Sequence, residues 1–133
     1  MRHIKRAGGI IFYHNKLLVV LNKLSKLKGD CKYGCPKGHR KNKELLINCA
    51  NREIYEETGL DINIDFKNTP YKIIEDTIYY IIKYPIEQSV NIKDVNEISE
   101  VCFMTKEQLI EVNKNRSLKI ICKHFNNIYN KII

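Results

Sequence analysis

Three glutamates crowd one stretch of the chain that has the pattern of a helix. Glu56 and Glu57 follow Glu53 by three and four residues, so the three carboxylates share one edge of that helix. Like charges at this spacing destabilise a helix, and the helix dipole adds a cost near the C-terminal end. A hard divalent cation with oxygen ligands would reverse both costs. From the helix alone, a metal site and a solvated acidic face are both open.

The helix that carries these glutamates is predicted to run from Lys43 to Thr58. Asn42 is the expected N-cap, and Gly59 has the place of a C′ residue. One side of the helix is apolar and should face a core. That side consists of Leu46, Cys49, Ala50 and Ile54.

Strand patterns occur on both sides of this helix. They cover Arg2 to Phe12, Leu17 to Leu21, Ile62 to Phe66, Tyr71 to Tyr84 and Glu100 to Met104. The first two should form a hairpin, and a basic loop should follow over 22–34. Another polar loop is expected over 91–97.

Two further helices are predicted near the C-terminus. Thr105 and Gln108 form a capping box, and Ser117 is the expected cap of the last helix. The last helix has an apolar stripe suited to core packing, made of Ile121, Phe125, Ile128 and Ile132. Strands combined with two or three helices predict an α/β sandwich with a mixed sheet.

Length and composition indicate one globular domain over 1–133. The chain has 133 residues, of which 44% are hydrophobic and 29% charged. The net charge of +8 favours polyanionic partners such as RNA or nucleotides, although Lys, Ile and Asn also share A/T-rich codons. No apolar run is long enough for a membrane span, and we expect a cytoplasmic protein, nuclear being possible, that is not secreted.

Five cysteines argue against a secreted disulfide framework because the number is odd. Cys31, Cys35 and His39 could be considered as a zinc site, but no fourth ligand stands at a familiar spacing. Reduced thiols in loop and core are the expected state.

The chain resembles the Nudix hydrolases over nearly its whole length. From Gly38 to Leu60 it follows their signature: Gly, five residues, Glu, seven residues, Arg-Glu, an aliphatic residue, one residue, Glu-Glu, one residue, Gly and an aliphatic residue. The segment 7–11, Ala-Gly-Gly-Ile-Ile, is similar to the family's first core strand. The resemblance implies an α/β/α Nudix sandwich with a mixed β-sheet, in which the signature forms a loop-helix-loop.

The resemblance also implies roles for individual residues. The ligands of one to three Mg²⁺ or Mn²⁺ ions would be Glu53, Glu56, Glu57 and the backbone carbonyl of Gly38. Arg52 would orient a carboxylate, most plausibly Glu53, through a bidentate pair, and Glu44 would support the site from the helix start. Lys37 is a candidate for substrate phosphate, with a solvated loop lysine as the alternative.

Two Nudix subgroups compete for the substrate. The lead-in at 33–38, Tyr-Gly-Cys-Pro-Lys-Gly, and the loop 96–99 resemble the catalytic domain of mRNA decapping enzymes. In those enzymes the late loop carries a glutamate that binds metal or acts as general base, here Glu97. Cys35 and His39 depart from the subgroup's usual Phe and Lys.

The second subgroup hydrolyses diadenosine tetraphosphate, and the segment 36–39 fits it equally well. Hydrolysis of diphosphoinositol polyphosphate and a binding-only nucleotide sensor are further alternatives. We therefore expect a phosphoanhydride hydrolase acting on a nucleotide or on capped RNA, with mRNA decapping foremost and no DNA partner. Tyr33, Tyr79 and Tyr80 are candidates for stacking on a base, although core packing is the commoner role for strand tyrosines.

Overall fold

The computed structural model describes residues 3–85 and 90–133. Twelve elements lie in these ranges, seven strands and five helices, and the last three elements are helices. The strands are β1 (Arg6–Tyr13), β2 (Lys16–Asn22), β3 (Tyr33–Gly34), β4 (Lys37–His39), β5 (Tyr71–Ile74), β6 (Thr77–Lys83) and β7 (Ile98–Met104). The helices are α1 (Lys23–Lys28), α2 (Leu46–Thr58), α3 (Lys106–Glu111), α4 (Arg116–Lys123) and α5 (Phe125–Tyr129).

The described strands form one mixed sheet, which confirms the predicted class. Five of them follow the order β3-β2-β1-β6-β5, while β7 pairs with β2 and β4 pairs with β1. The β1–β6 pair is parallel and the other pairs are antiparallel. β1 and β2 are paired only beside their hairpin turn, and β4 pairs with the start of β1 instead. β1 and β2 therefore separate away from their turn, and β4, which contains Gly38, lies beside the start of β1.

Helices cover both faces of the sheet. On one face, α2 packs through Cys49, Ala50 and Ile54. On the other face, the C-terminal helices pack through Leu109, Leu118, Ile121, Phe125 and Ile128. The predicted core role of the last apolar stripe is confirmed, and the architecture is an α/β/α sandwich. None of the helices in the described ranges is long and apolar enough to cross a membrane.

Several predicted boundaries were wrong, each for a local reason. The expected basic loop contains α1, because the Asn22 side chain accepts from the Leu24 N–H and Gly29 ends the helix in the left-handed region (φ 86). α2 begins after Leu45 rather than at Lys43, because Lys43 itself has a left-handed backbone (φ 64). No side chain caps its N-terminus, so Asn42 is not the cap.

Further along, the predicted strand 71–84 is a hairpin, β5 and β6, which turns at Glu75 (φ 56) and Asp76. The segment 62–66 is not a strand: the Ile64 N–H donates to Asn51 Oδ1 at 3.3 Å instead of to a neighbouring strand. Asn115, not Ser117, caps α4. The capping box at Thr105 and the C-cap at Gly59 are as predicted.

Candidate functional site

The pairing of β4 with the start of β1 brings the first residue of the signature, Gly38, against the helix of the signature. β4 pairs with the start of β1 so that Gly38 lies opposite Ala7, and α2 packs across β1. The Cys49 thiol donates a long hydrogen bond (3.6 Å) to the Gly38 carbonyl. The backbone around Gly38 is therefore fixed against the same side of α2 that carries the glutamates.

Glycine is required at position 38 because the Glu53 carboxylate occupies the space that a side chain would need. A Cβ atom on Gly38 would lie 2.1–2.4 Å from the three carboxyl atoms of Glu53. Glu53 is itself only 7% exposed. Burial raises its pKa, while its hydrogen bond from Arg52 works in the opposite direction.

Arg52 is the hub of the cluster, although its main partner differs from the predicted one. Its Nε and Nη2 donate to the two carboxylate oxygens of Glu44 at 2.8 and 2.9 Å, a bidentate pair. Its Nη1 donates a single bond to Glu53 at 2.7 Å, and Nη2 also donates to the His39 carbonyl at 3.1 Å. Arg52 also lies 3.4 Å from Glu56. One guanidinium thus bridges three carboxylates and the signature loop.

Glu44 supports the site from the helix start, as the resemblance implied. Besides the pair with Arg52, it accepts a hydrogen bond from the Lys41 N–H at 3.0 Å. The bond from Arg52 is the main reason that the pKa of Glu44 falls to about 2. Because Glu44 precedes α2 and Arg52 lies in the middle of the helix, the pair ties the incoming loop to the helix surface.

Glu57 is the most buried carboxylate of the cluster, at 3% exposure. Burial raises its pKa to about 9, and the charges of Glu53 and Glu97 act in the same direction. The backbone N–H of Lys37 donates to Glu57 Oε1 at 3.2 Å and partly offsets this rise. Glu57 has no arginine partner among the described residues, so a nearby cation would stabilise its charged form.

The loop that carries Glu97 is attached to the C-terminal end of α2. The N–H groups of Lys93 and Asp94 donate to the Glu56 carbonyl at 3.0 and 2.8 Å. Asn91 N–H donates to the Thr58 carbonyl at 2.8 Å. These bonds satisfy carbonyls that a helix end leaves free, and they fix the loop beside the glutamates.

Glu97 reaches the cluster from this loop, although it is far from the signature in sequence. It lines a small cavity of about 80 Å³ together with Glu57 and Lys37. Burial raises the pKa of Glu97, and the neighbouring Asp94 carboxylate raises it further. The structure therefore brings Glu97, Glu57 and Lys37 together, as their proposed roles would require.

Asp94 is a site residue that the sequence reasoning missed. Its side chain and its carbonyl both accept from the Glu97 N–H, at 3.2 and 3.3 Å, and its carbonyl accepts from Ile98 at 3.0 Å. Asp94 therefore sets the turn that presents Glu97. The signal was an aspartate three residues before a glutamate in a polar loop, which is typical of an Asx-type turn.

Two of the three tyrosines predicted as base-stacking candidates have little free ring surface. Tyr79 is fully buried and Tyr80 is 7% exposed, each in a different half of the core. Tyr79 is therefore a core-packing residue and not a base-stacking residue, because it lies on β6, between two other strands of the sheet. Tyr33 is half-buried, and its hydroxyl donates to Glu100 Oε1 at 2.9 Å.

The cluster's donors suit a hard cation, although they do not form a ready site. Across 3–85 and 90–133 no three His, Cys, Asp or Glu side chains are arranged to hold a metal ion. Instead Arg52 holds Glu53 and approaches Glu56. All candidate donors are oxygens, as Mg²⁺ requires, and Glu57 is buried without a salt-bridge partner among the described residues. Glu53, Glu56 and Glu57, with the Gly38 carbonyl, are the residues that would hold such an ion.

The fold resembles solved structures over almost its full length. The C. elegans Ap4A hydrolase, in a binary complex, matches with a TM-score of 0.72 and 18% identity, covering 95% of this chain and 98% of that one. The NUDIX domain of Shewanella oneidensis NrtR, complexed with ADP ribose, gives a TM-score of 0.72 and 15% identity over 96% and 88% of the two chains.

A third neighbour is a Francisella tularensis bifunctional NMN adenylyltransferase/ADP ribose pyrophosphatase, complexed with AMP and a manganese ion. It has a TM-score of 0.66 and 14% identity, covering 96% of this chain and 43% of that one. No curated protein matches the sequence significantly. The model of the NUDIX domain matches residues 3–123, and the chain therefore belongs to the NUDIX domain family.

Proposed function

We propose that the chain is a divalent-metal-dependent pyrophosphohydrolase that cleaves a phosphoanhydride bond in a nucleoside-linked substrate. NUDIX membership and the hydrolase-like fold support pyrophosphohydrolase activity in general. The observation that carries the metal-dependent chemistry is the burial of Glu57 beside Glu53 and Glu97, while Arg52 bonds to Glu44 and Glu53 and not to Glu57. Such a cluster has an excess of negative charge that a divalent cation would balance.

Each residue around the carboxylate cluster is proposed to have a separate role in the reaction, and its position permits that role. Bound Mg²⁺ or Mn²⁺ supplies charge neutralisation for the diphosphate and lowers the pKa of the attacking water. Arg52 keeps Glu53 and Glu44 in place through the bonds described above. Glu97 is the proposed general base, because it lines the same cavity as Glu57. Lys37, on that cavity's wall, is proposed to bind a substrate phosphate.

Two specific substrates remain in competition, and both are dinucleoside polyphosphates. In favour of the mRNA cap, the basic helix α1 ends at Lys28, with four residues between it and the lead-in, and the Lys23 N–H donates to the Glu97 carbonyl at 2.7 Å. A row of lysines thus begins beside the proposed base, where it would meet RNA phosphates beyond the cap. In favour of diadenosine tetraphosphate, the C. elegans Ap4A hydrolase matches along the whole of both chains.

Product analysis tests the proposal. The protein is incubated with Mg²⁺ and, separately, with capped RNA, diadenosine tetraphosphate, ADP-ribose and a diphosphoinositol polyphosphate. We expect cleavage at a phosphoanhydride bond, no cleavage in chelator, and loss of turnover in Glu57→Gln. If no substrate is hydrolysed but nucleotides still bind, the chain is a binding-only member of the family and the proposed activity is wrong.

A further inference from the structure

A second, larger cavity lies at the N-terminal end of α2, outside the carboxylate cluster. Its volume is about 890 Å³, within the range of small-molecule sites. The floor and walls are apolar and come from α2, the segment after it, β5 and β6. They consist of Leu45, Leu46, Ile47, Ile64, Phe66, Tyr71, Ile78 and Tyr80. We refer to this cavity as the α2 pocket.

Two of the residues that line the α2 pocket have aromatic rings with solvent-exposed surface. Phe66 is 79% exposed and Tyr71 is 57% exposed, which leaves ring area available to a ligand. Leu45, at the helix start, is also exposed. Exposed apolar side chains that surround a cavity of this size indicate a binding surface rather than packing.

The charge at the rim of the α2 pocket is positive and unpaired. Arg40 and Lys43 line the rim, and within the described residues neither has a salt-bridge partner. Glu44 also lines it, but its carboxylate is already neutralised by the bidentate pair with Arg52. Aromatic faces and two free cations suit a ligand that combines a flat ring with a phosphate.

The α2 pocket is also next to the candidate active site. Glu44, on its rim, bonds to Arg52, which in turn bonds to Glu53. Arg40 follows Gly38 by two residues, so their Cα atoms are separated by about 7 Å at most. A polyphosphate chain that leaves the carboxylate cluster therefore needs only a short path to reach Arg40.

We infer that the α2 pocket binds the second nucleotide of the substrate, the ring stacking on Phe66 and Tyr71 and its phosphate meeting Arg40 and Lys43. This inference rests on the proposed function and narrows it to substrates with two nucleosides. A nucleotide is preferred to an apolar peptide or a second copy of the chain, because the lining combines two cations, Arg40 and Lys43, with apolar and aromatic side chains.

Binding in chelator tests the α2 pocket separately from catalysis. Without metal, the glutamates of the candidate active site should repel a polyphosphate, and nothing is hydrolysed. Isothermal titration calorimetry is run with AMP, adenosine, inorganic phosphate and diadenosine tetraphosphate. Two-dimensional NMR with AMP locates the affected residues.

Four variants separate the contributions. Phe66→Ala removes an aromatic face, and Lys43→Gly removes a cation at a position whose left-handed backbone suits glycine. Ile110→Ala and Lys131→Ala are matched controls, since both residues are exposed and lie outside the α2 pocket. We expect AMP to bind more tightly than adenosine or phosphate, and each pocket variant to weaken binding at least about fivefold. The controls should match the wild type.

Three results would overturn the inference: no nucleotide binding, equal binding by all four variants, or NMR shifts at Glu53 and Glu57 instead of at the α2 pocket. Analytical ultracentrifugation provides a fourth such result. A wild-type dimer that is absent in Phe66→Ala would mean that a second copy of the chain covers the α2 pocket. Hydrolysis is assayed in parallel with Mg²⁺. Normal hydrolysis with no effect of the pocket variants on the KM for dinucleotides rejects the α2 pocket alone, whereas absent hydrolysis rejects the proposed function.

Discussion

Gly38 and Glu53 are so close that a Cβ atom on Gly38 would lie 2.1 Å from the Glu53 carboxyl carbon. The glycine therefore determines where a candidate metal ligand can be. We predict that Gly38→Ala displaces Glu53 and lowers kcat by about 10²-fold, because misplacement by an ångström has effects of that order. Steady-state kinetics at saturating Mg²⁺ measures the change in kcat.

Gly29→Asn is the matched control for that change. A Cβ atom on Gly29 would meet nothing within 4 Å, and asparagine tolerates its left-handed backbone (φ 86). The kcat of Gly29→Asn should equal that of the wild type. Wild-type turnover in Gly38→Ala would mean that Glu53 can move without loss and is not a critical ligand.

The pair between Glu44 and Arg52 predicts how stability depends on pH. The pKa of Glu44 is lowered from 4.5 to about 2 in the folded chain, chiefly by the hydrogen bond from Arg52. Its stabilising contribution is therefore complete above about pH 4.5 and is lost as the pH falls through about 2. Glu44→Gln should reduce the free energy of unfolding near pH 7, and the difference from wild type should shrink below pH 4.5.

Urea unfolding at several pH values between 7 and 2.5 measures this difference. Glu111→Gln, an exposed glutamate at the end of α3, is the control and should follow the wild-type curve. A Glu44→Gln deficit that stays constant down to pH 2.5 would show that packing, and not the ionised pair, is responsible.

Glu97→Gln tests the proposed general base. A base must be deprotonated to act, and burial together with Asp94 raises the pKa of Glu97, which should move the acid limb of the rate profile to higher pH. The variant should lose roughly 10²- to 10⁴-fold in kcat and show a flattened acid limb. Asp61→Asn, an exposed carboxylate beyond α2, serves as the control. An unaltered profile would place the base elsewhere, with Glu53 the next candidate.

The lysines around α1 separate RNA from small dinucleotides. If the substrate is capped RNA, the binding affinity should fall with salt, with a log–log slope of roughly −0.7 per contacted phosphate. Replacing Lys28, which is exposed and lies outside the cavity of Glu57 and Glu97, by alanine should make that slope shallower for a capped RNA and leave it unchanged for diadenosine tetraphosphate. Decapping is rejected if lengthening the RNA does not raise kcat/KM and the small dinucleotide is cleaved at least as efficiently.

The sequence predicted the relative placement of the three glutamates better than the boundaries of the elements around them. The spacing of Glu53, Glu56 and Glu57 on one helix edge needs only helical geometry, and the structure has that helix. The bidentate partner of Arg52 was not predictable in the same way, because Glu44 precedes the helix and reaches Arg52 only when the loop folds back.

Two of the wrong boundaries share one cause. Lys43 and Glu75 are non-glycine residues with left-handed backbones, and residue type does not signal that conformation at either position. Lys43 delays the start of α2, and Glu75 divides one expected strand into two. By contrast, α1 had readable signals, since Asn22 and Gly29 are an ordinary N-cap and C-cap pair.

The most direct test of the central claim is the melting temperature of Glu57→Gln with and without Mg²⁺. Without metal, the variant should be at least as stable as the wild type near pH 7, because wild-type Glu57 must either take up a proton on folding or carry a buried charge beside Glu53 and Glu97, whereas glutamine does neither. Saturating Mg²⁺ should raise the melting temperature of the wild type, since a ligand that binds only the folded state stabilises it. In the variant that rise should be largely lost, together with turnover. An equal rise in both proteins, or full turnover in the variant, would contradict the assignment of Glu57 as a ligand of the catalytic metal.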